Sequence, residues 1–345
     1  MKPCVFYVKK RTGCSKLLVL LICIDKEVDK VESIFAFLLP EWREKIEKLP
    51  PLVLEQIEEL RFRVGQPLLL RLLEEDVYLQ EDGGLSQNPA EGFVVSPEMI
   101  KRMVLLLSRS SFYALEEELR QGYITLAGGH RAGLAGQAVL EGGHLRTLKN
   151  ISSINLRLAK AVFGAANHII PWVIEGKEVL STLLVSPPRC GKTTVLRDLI
   201  RQFSDGLAGL NPLDVGLVDE RSEIAGALDG QPQLAVGHRT DVLDGCPKAE
   251  GMVMMVRAMS CQVLATDEIG RKEDVAAILE AINAGQSVLA TAHGANWQQL
   301  AERPIFQEML SMGSFKRVVF LSRRQGPGTL EKVCDGKGKE LFTLC

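Results

Sequence analysis

The sequence predicts an α/β protein in which an open parallel sheet carries a phosphate-binding loop, behind a smaller mixed α/β N-terminal domain. Three observations predict it. The run Val185-Ser186-Pro187-Pro188-Arg189-Cys190-Gly191-Lys192-Thr193-Thr194 sets a Gly-Lys-Thr turn between an apolar strand, 179–185, and a helix beginning near Lys192. Three more apolar runs, 215–218, 262–266 and 286–291, each lead into polar or ionisable residues, as parallel strands do where they meet a ligand crevice. Upstream, residues 34–162 carry helix and hairpin signals punctuated by proline and glycine.

Along the chain, the first 33 residues read as an extension. Leu17-Leu18-Val19-Leu20-Leu21-Ile22-Cys23-Ile24 follows Lys9, Lys10, Arg11 and Lys16 and imitates a secretion signal. The apolar run is too short to cross a bilayer as a helix and no A-x-A cleavage pattern follows, so a buried strand or an upstream extension is expected. Between 41 and 60, charged residues interleave with Ile46, Leu49, Leu52, Leu54, Ile57 and Leu60 around Pro50-Pro51, which predicts two short helices. Segments 60–64 and 68–72 flank Gly65-Gln66-Pro67 and predict a hairpin. Residues 81–92, rich in Gly, Asn, Ser and Pro, suit an exposed loop.

Ser96-Pro97-Glu98 then supplies an N-cap, a proline at the first helical position and an early acid for a helix running through Leu107. A strand-rich section, 123–161, precedes a joining segment at 165–176. The expected division is an extension 1–33, an N-terminal α/β domain 34–162, a linker 163–178 and the phosphate-loop domain 179–345. Met252, Met254, Met255 and Met259, on a helix expected over 249–260, read as core and subunit packing.

The loop chemistry is specific. Gly191 lets backbone N–H groups close around a β-phosphate, Lys192 is expected as a solvent-facing charge that neutralises the β- and γ-phosphates, and Thr193 offers its hydroxyl to Mg2+. Ser186, Pro187, Pro188, Arg189, Cys190 and Thr194 complete the cradle, with Ser186 standing where the usual pattern has its first glycine. The helix start adds its positive pole. These residues predict a nucleoside triphosphate as ligand, and alkylation of Cys190 should block it.

Asp267 fits the acid that holds Mg2+ through water, while Glu220, Glu223 and Glu268 compete to orient and deprotonate an attacking water. Each of these acids can instead cap a strand end or begin a turn. His293 follows the 286–291 run and either senses the γ-phosphate or is a hydrogen-bonded structural group. Arg239 and Arg257 are candidates for guanidinium charge on a transferring phosphoryl group, reaching it in trans only within an oligomer, or are ordinary surface arginines.

The order of these blocks resembles the secretion and pilus-retraction ATPase superfamily, most of all a sporulation member of it. It rests on the phosphate loop, Asp219-Glu220-Arg221-Ser222-Glu223, Arg239-Thr240-Asp241-Val242-Leu243-Asp244, Asp267-Glu268-Ile269-Gly270 and Thr291-Ala292-His293-Gly294. The likeness extends to Glu59-Leu60-Arg61-Phe62-Arg63-Val64-Gly65-Gln66-Pro67, Gly128-Gly129-His130-Arg131-Ala132-Gly133-Leu134-Ala135-Gly136, Ile151-Ser152-Ser153-Ile154-Asn155-Leu156-Arg157 and Leu321-Ser322-Arg323-Arg324-Gln325-Gly326-Pro327-Gly328-Thr329, spanning about residues 37–335.

The resemblance implies a RecA-like P-loop motor domain behind the N-terminal domain, hydrolysing ATP with Mg2+ between the protomers of a hexameric ring. It implies a cytoplasmic machine docked on membrane-embedded sporulation proteins. It also implies Glu223 or Glu220 as the water-activating group, Asp267-Glu268 as the Mg2+-side box, His293 as the histidine box and Arg239 and Arg257 as the arginine-bearing segment. Arg131 and Arg157 would reach the nucleotide from the N-terminal domain. Pilus motors tend to have Gly-Glu where this chain has Asp267-Glu268, which leaves open which glutamate activates water.

Composition bounds the alternatives. At 345 residues, 46% apolar and 24% charged, the chain has room for about two domains and a substantial core. Its 41 basic and 43 acidic residues give a net charge of -2, which disfavours a mainly electrostatic nucleic-acid binder. Eight cysteines without a C-x-x-C pair read as reduced thiols rather than a disulfide frame or zinc site. Two other readings remain, a nucleic-acid-stimulated RecA-like ATPase and a nucleotide-switched scaffold that hardly hydrolyses ATP.

Overall fold

The computed structural model describes residues 34–73, 75–108, 122–159, 162–207 and 209–344; the apolar run 17–24 lies outside them. Two large sheets organise these residues. The first is antiparallel, ordered β4-β3-β2-β1-β7-β6-β5, from β1 (Ile57–Arg63), β2 (Leu69–Leu72), β3 (Asp76–Leu79), β4 (Leu85–Ser86), β5 (Tyr123–Thr125), β6 (Arg131–Glu141) and β7 (His144–Arg157). Gly65, at φ +73°, turns β1 into the expected hairpin with β2, in the register Leu60 opposite Leu70. Gly142 and Gly143, both left-handed, close the long β6–β7 hairpin, as a two-residue turn of the right twist requires.

Helices Pro40–Ile46, Pro51–Leu54 and Pro97–Leu107 accompany this sheet. Trp42, Ile46, Ile100, Met103 and Leu107 join Leu60, Phe62, Leu70 and Ile154 in one core, with the Trp42 and Phe62 rings 4.5 Å apart. Ser96 caps its helix as the sequence predicts, its hydroxyl accepting from Met99 N–H at 3.2 Å. Residues 81–92 are more ordered than a plain loop, because the Glu91 carboxylate gathers the side chains of Gln80, Ser86 and Asn88 and leaves room for β4 and a short turn of 3-10 helix.

The second sheet is ordered β12-β11-β13-β14-β10-β15-β16-β17. After a small hairpin, β8 (Ile174–Glu175) with β9 (Glu178–Val179), come β10 (Thr182–Ser186), β11 (Val215–Asp219), β12 (Thr240–Asp244), β13 (Val263–Glu268), β14 (Ser287–His293), β15 (Arg317–Ser322), β16 (Thr329–Asp335) and β17 (Glu340–Thr343). Strands β10 to β15 are mutually parallel, and β16 and β17 extend one edge antiparallel. The strand expected from 179 starts at Thr182, since Val179 pairs with Ile174 in the small hairpin.

Helices cover both faces of this sheet, which is why its strands read as continuous apolar runs. Val195, Leu199 and Phe203 of helix Lys192–Ser204 pack on one face, and Met252 and Met255 of helix Lys248–Ala258, Ile278 of helix Lys272–Asn283 and Phe306 of helix Pro304–Ser311 on the other. Met254 and Met259 are exposed. The segment expected as a linker sends Ala166, Ile169, Ile170 and Val173 into the core of the second sheet. Among the described residues the cysteines 190, 246, 261 and 334 are free thiols, and no helix is long and apolar enough to cross a membrane.

The two sheets meet where glycine permits it. A Cβ on Gly129, whose φ is +79°, would lie 2.8 Å from Leu234 Cδ2, and Gly128 N–H donates to the Gln233 side-chain oxygen at 3.0 Å. The Gly128-Gly129 pair thus supplies the close backbone approach that its composition suggested.

Candidate active site

The carboxyl ends of β10, β11, β13 and β14 face a cleft of about 930 Å3. Its floor is the turn between β10 and helix Lys192–Ser204. Gly191 is the N-cap at φ +86°, and a Cβ there would come within 2.8 Å of Gly328 N, so both backbone angle and space demand glycine. Ser186 takes no left-handed φ, which explains why a serine serves where the usual pattern has glycine. No side chain caps the helix start, so its first-turn N–H groups and dipole are available to an anion in the cleft.

Lys192 departs from expectation. Instead of facing solvent it is 8% exposed, with Nζ donating to Ser186 O at 3.0 Å, Pro187 O at 3.3 Å and His293 Nδ1 at 3.1 Å. Burial holds its ammonium below the usual lysine range, against the pull of Glu268. Because the ammonium can only donate, His293 Nδ1 accepts, and Nε2–H is left to donate to Glu268 Oε2 at 2.7 Å. Glu268, His293 and Lys192 therefore form one chain of contacts across the strand ends.

The acids sort by environment. Asp219 is fully buried and accepts from Glu223, Ile224 and Ala225 N–H at 2.8 to 2.9 Å, which folds the 219–225 turn. Glu220 and Asp267 share Lys248, whose Nζ bonds Glu220 Oε2 and lies 2.7 Å from Asp267 Oδ1. A register shift between β13 and β14 just before Glu268 accompanies the placement of Asp267 at the cleft. Burial pushes the Asp267 carboxyl up to about 6, and Asp219 and Glu220 add to what Lys248 offsets. Burial pulls the Lys248 ammonium down, but its two carboxylate partners outweigh this and leave it raised. One cation thus serves two acids.

That donor set suits a hard divalent cation. The Thr193 hydroxyl and the Asp267 carboxylate line the same cleft, and the crowding that raises Asp267 is what a metal charge relieves. Among the described residues no three His, Cys, Asp or Glu side chains are grouped to hold a metal alone, so the remaining ligands would be phosphate and water oxygens.

Of the residues read from sequence, Pro188, Arg189, Cys190, Gly191, Lys192, Thr193, Thr194, Glu220, Glu223, Asp267, Glu268 and His293 all line this cleft, with Ser186 and Pro187 beneath Lys192. Arg131 does not line it. Its guanidinium bonds Arg221 O, lies 3.7 Å from Glu223 Oε1 and stacks 4.6 Å from the Tyr123 ring centroid, so it grips the acidic turn from the first sheet. Arg157 bonds Glu59 at 2.9 Å.

Arg239 and Arg257 lie elsewhere. Arg239 leads into β12 at the amino end of the sheet, held by two contacts to Asp214 at 2.8 and 3.2 Å. Arg257 is nine residues beyond Lys248 on one helix, about 14 Å along its axis, and pairs with Glu280 at 3.1 Å. Neither reaches its own cleft. The basic residues of the lining that sequence missed are Lys248, Arg221 and Arg271. The available signal was position, since each follows the end of a parallel strand.

Comparisons with known proteins agree with this architecture. The family described as "Sporulation stage III, protein AA" matches residues 28–341. Stage III sporulation protein AA of Bacillus subtilis (strain 168) is 42% identical over 307 residues, covering 89% of this chain and 96% of that protein. Among solved structures, the Legionella pneumophila ATPase DotB superposes with a TM-score of 0.50 at 13% identity, covering 90% of this chain and 78% of DotB. The pilus retraction motor PilT, solved with bound ADP, also gives 0.50, at 14% identity over 78% of this chain and 75% of PilT. The fold is accordingly a RecA-like one behind a smaller N-terminal domain, and the chain belongs to the Sporulation stage III, protein AA family.

Proposed function

We propose that this chain hydrolyses ATP with Mg2+ in the cleft, as a subunit of a hexameric ring that powers a membrane-associated assembly or export apparatus during spore formation. The observation that carries the reading is the opposition of two walls. An uncapped helix start with Lys192 and Thr193 faces Glu220, Asp267 and Glu268 across about 930 Å3. An anion-binding wall against an acidic one is what a metal-bridged polyphosphate requires.

In this reading the N–H groups from Pro188 to Thr193 except proline's hold the β-phosphate, and Thr193 and Asp267 hold Mg2+, the latter through water. When bound, Mg2+ neutralises charge developing on the phosphate oxygens. Lys192 leaves Ser186 O, Pro187 O and His293 to meet the β- and γ-phosphates, which exchanges carbonyl partners for anionic ones. His293, released from Lys192 but still on Glu268, registers whether a γ-phosphate is present. Glu223 accepts the proton of the attacking water. It lines the cleft half-exposed with Arg131 only 3.7 Å away, whereas Glu220 is committed to Lys248 and Glu268 to His293. Arg239 and Arg257, remote from their own cleft, would act on a neighbour's.

We propose further that the ring docks on membrane-embedded sporulation proteins from the cytoplasmic side, a reading that membership of a sporulation family supports. Particle size measured with and without ATP and Mg2+, alongside phosphate release, tests the proposal. Rings that form with nucleotide and release phosphate support it. A chain that stays monomeric at all concentrations while hydrolysing ATP rules out the ring.

A further inference from the structure

Beside the phosphate cleft lies a second hollow of about 470 Å3, between segment 168–172 and the last strands. We infer that it receives the purine base of the nucleotide whose phosphates the loop holds, an inference that rests on the nucleotide reading above. The two hollows adjoin at Pro327, which lines both. Gly328, in the wall of the second, donates its N–H to Cys190 O at 2.8 Å, and any Cβ on Gly191 would collide with it. The phosphate loop is therefore packed directly behind the Gly328 wall of this hollow. A nucleotide anchored at Gly191 has its sugar beside Pro327 and its base beyond.

The lining suits a flat heteroaromatic ring. Trp172 and Phe342, both half-buried, stand with ring centroids 5.3 Å apart and planes tilted by 41°. An aromatic pair partly open to solvent offers a stacking surface to any base. His168 Nε2 donates to Gly328 O at 2.9 Å and fixes the 326–329 turn against the segment bearing Trp172. The block 321–329 carries part of the family resemblance yet no phosphate chemistry, and base binding gives it a role. So does the burial of the segment expected to be a linker, which holds Trp172 in place.

Binding of ATP and of inorganic tripolyphosphate to the full chain tests this, for the wild type, Trp172→Ala, Phe342→Ala and Phe342→Tyr. The expected result is that each alanine variant weakens ATP about tenfold, leaves tripolyphosphate unchanged, and that Phe342→Tyr keeps wild-type affinity for both. Alanine variants that bind ATP normally, or that lose ATP and tripolyphosphate alike, overturn the base site. A wild type that binds neither ligand overturns the nucleotide reading itself, which is a separate failure.

Discussion

The two ends of the parallel sheet use the same kinds of residue for different ends. At the carboxyl end, Lys192 and Lys248 are each 8% exposed and each holds more than one partner, Ser186, Pro187 and His293 for the first and Glu220 and Asp267 for the second. Toward the other end, Arg239 and Arg257 make one-to-one pairs with Asp214 and Glu280, with side chains 49% and 71% exposed. Exposed pairs gain little from each other in water, whereas buried charges with competing partners hold free energy that a ligand can release. Charge at the cleft is frustrated and charge at the far end is satisfied. That contrast, rather than residue type, separates the candidate site from an ordinary surface.

The contrast breaks first at Lys192. Lys192→Ala should lower phosphate release at least ~100-fold by removing phosphate positioning and charge together. Its melting temperature should change little, because burial already disfavours the Lys192 charge. Comparable turnover in this variant would remove the loop from the chemistry.

Glu223→Gln sharpens the division among acids. It should keep ATP and Mg2+ affinity while slowing single-turnover hydrolysis about 100-fold, the range for loss of a general base. If Glu268→Gln alone traps ATP and Glu223→Gln hydrolyses normally, the base has been misassigned.

These expectations were unequally legible in the sequence. The phosphate loop could be read because its determinants are local, a left-handed Gly191 between strand and helix, as could the Ser96 cap. Lys248 could not, since it acquires its partners only when β11 and β13 lie side by side and bring Glu220 and Asp267 to one helix start. The same limit hid the burial of Lys192, whose bond to His293 depends on β10 pairing with β14 in the register Ser186 opposite His293. Arg131 was legible as important but not as a grip on the 219–225 turn, because that contact joins the two sheets. Periodicity likewise gave no sign that segment 166–173 is core, since its apolar positions face a sheet formed later in the chain.

Asp267 gives a smaller effect with a definite sign. Its carboxyl rises from 3.8 to about 6 on folding, so between these values the folded chain binds the extra proton. Its contribution to stability therefore falls as pH rises from about 4 to 6 and stays unfavourable above. Asp267→Asn, neutral at every pH, should lose this part of the pH dependence and melt no lower than wild type at pH 7.5, while Mg2+-dependent ATP binding weakens. A variant markedly less stable at pH 7.5 would mean that the Lys248 pair outweighs burial.

The smallest effect belongs to the far end. Arg239→Ala and Arg257→Ala should each shift stability by no more than about 0.5 kcal/mol. If rings bring these arginines to a neighbour's cleft, activity per chain rises with protein concentration, and either variant mixed with Lys192→Ala recovers some turnover. No recovery where mixed rings demonstrably form would leave both arginines as surface pairs.

The most direct test is the time course of phosphate release from ATP by the wild-type chain, run in parallel with Mg2+ and with EDTA while bound nucleotide is measured. The frustrated cleft predicts release with Mg2+ that stops in EDTA. Nucleotide that binds with Mg2+ and stays unhydrolysed through repeated ring assembly would contradict it and leave a nucleotide-switched scaffold in its place.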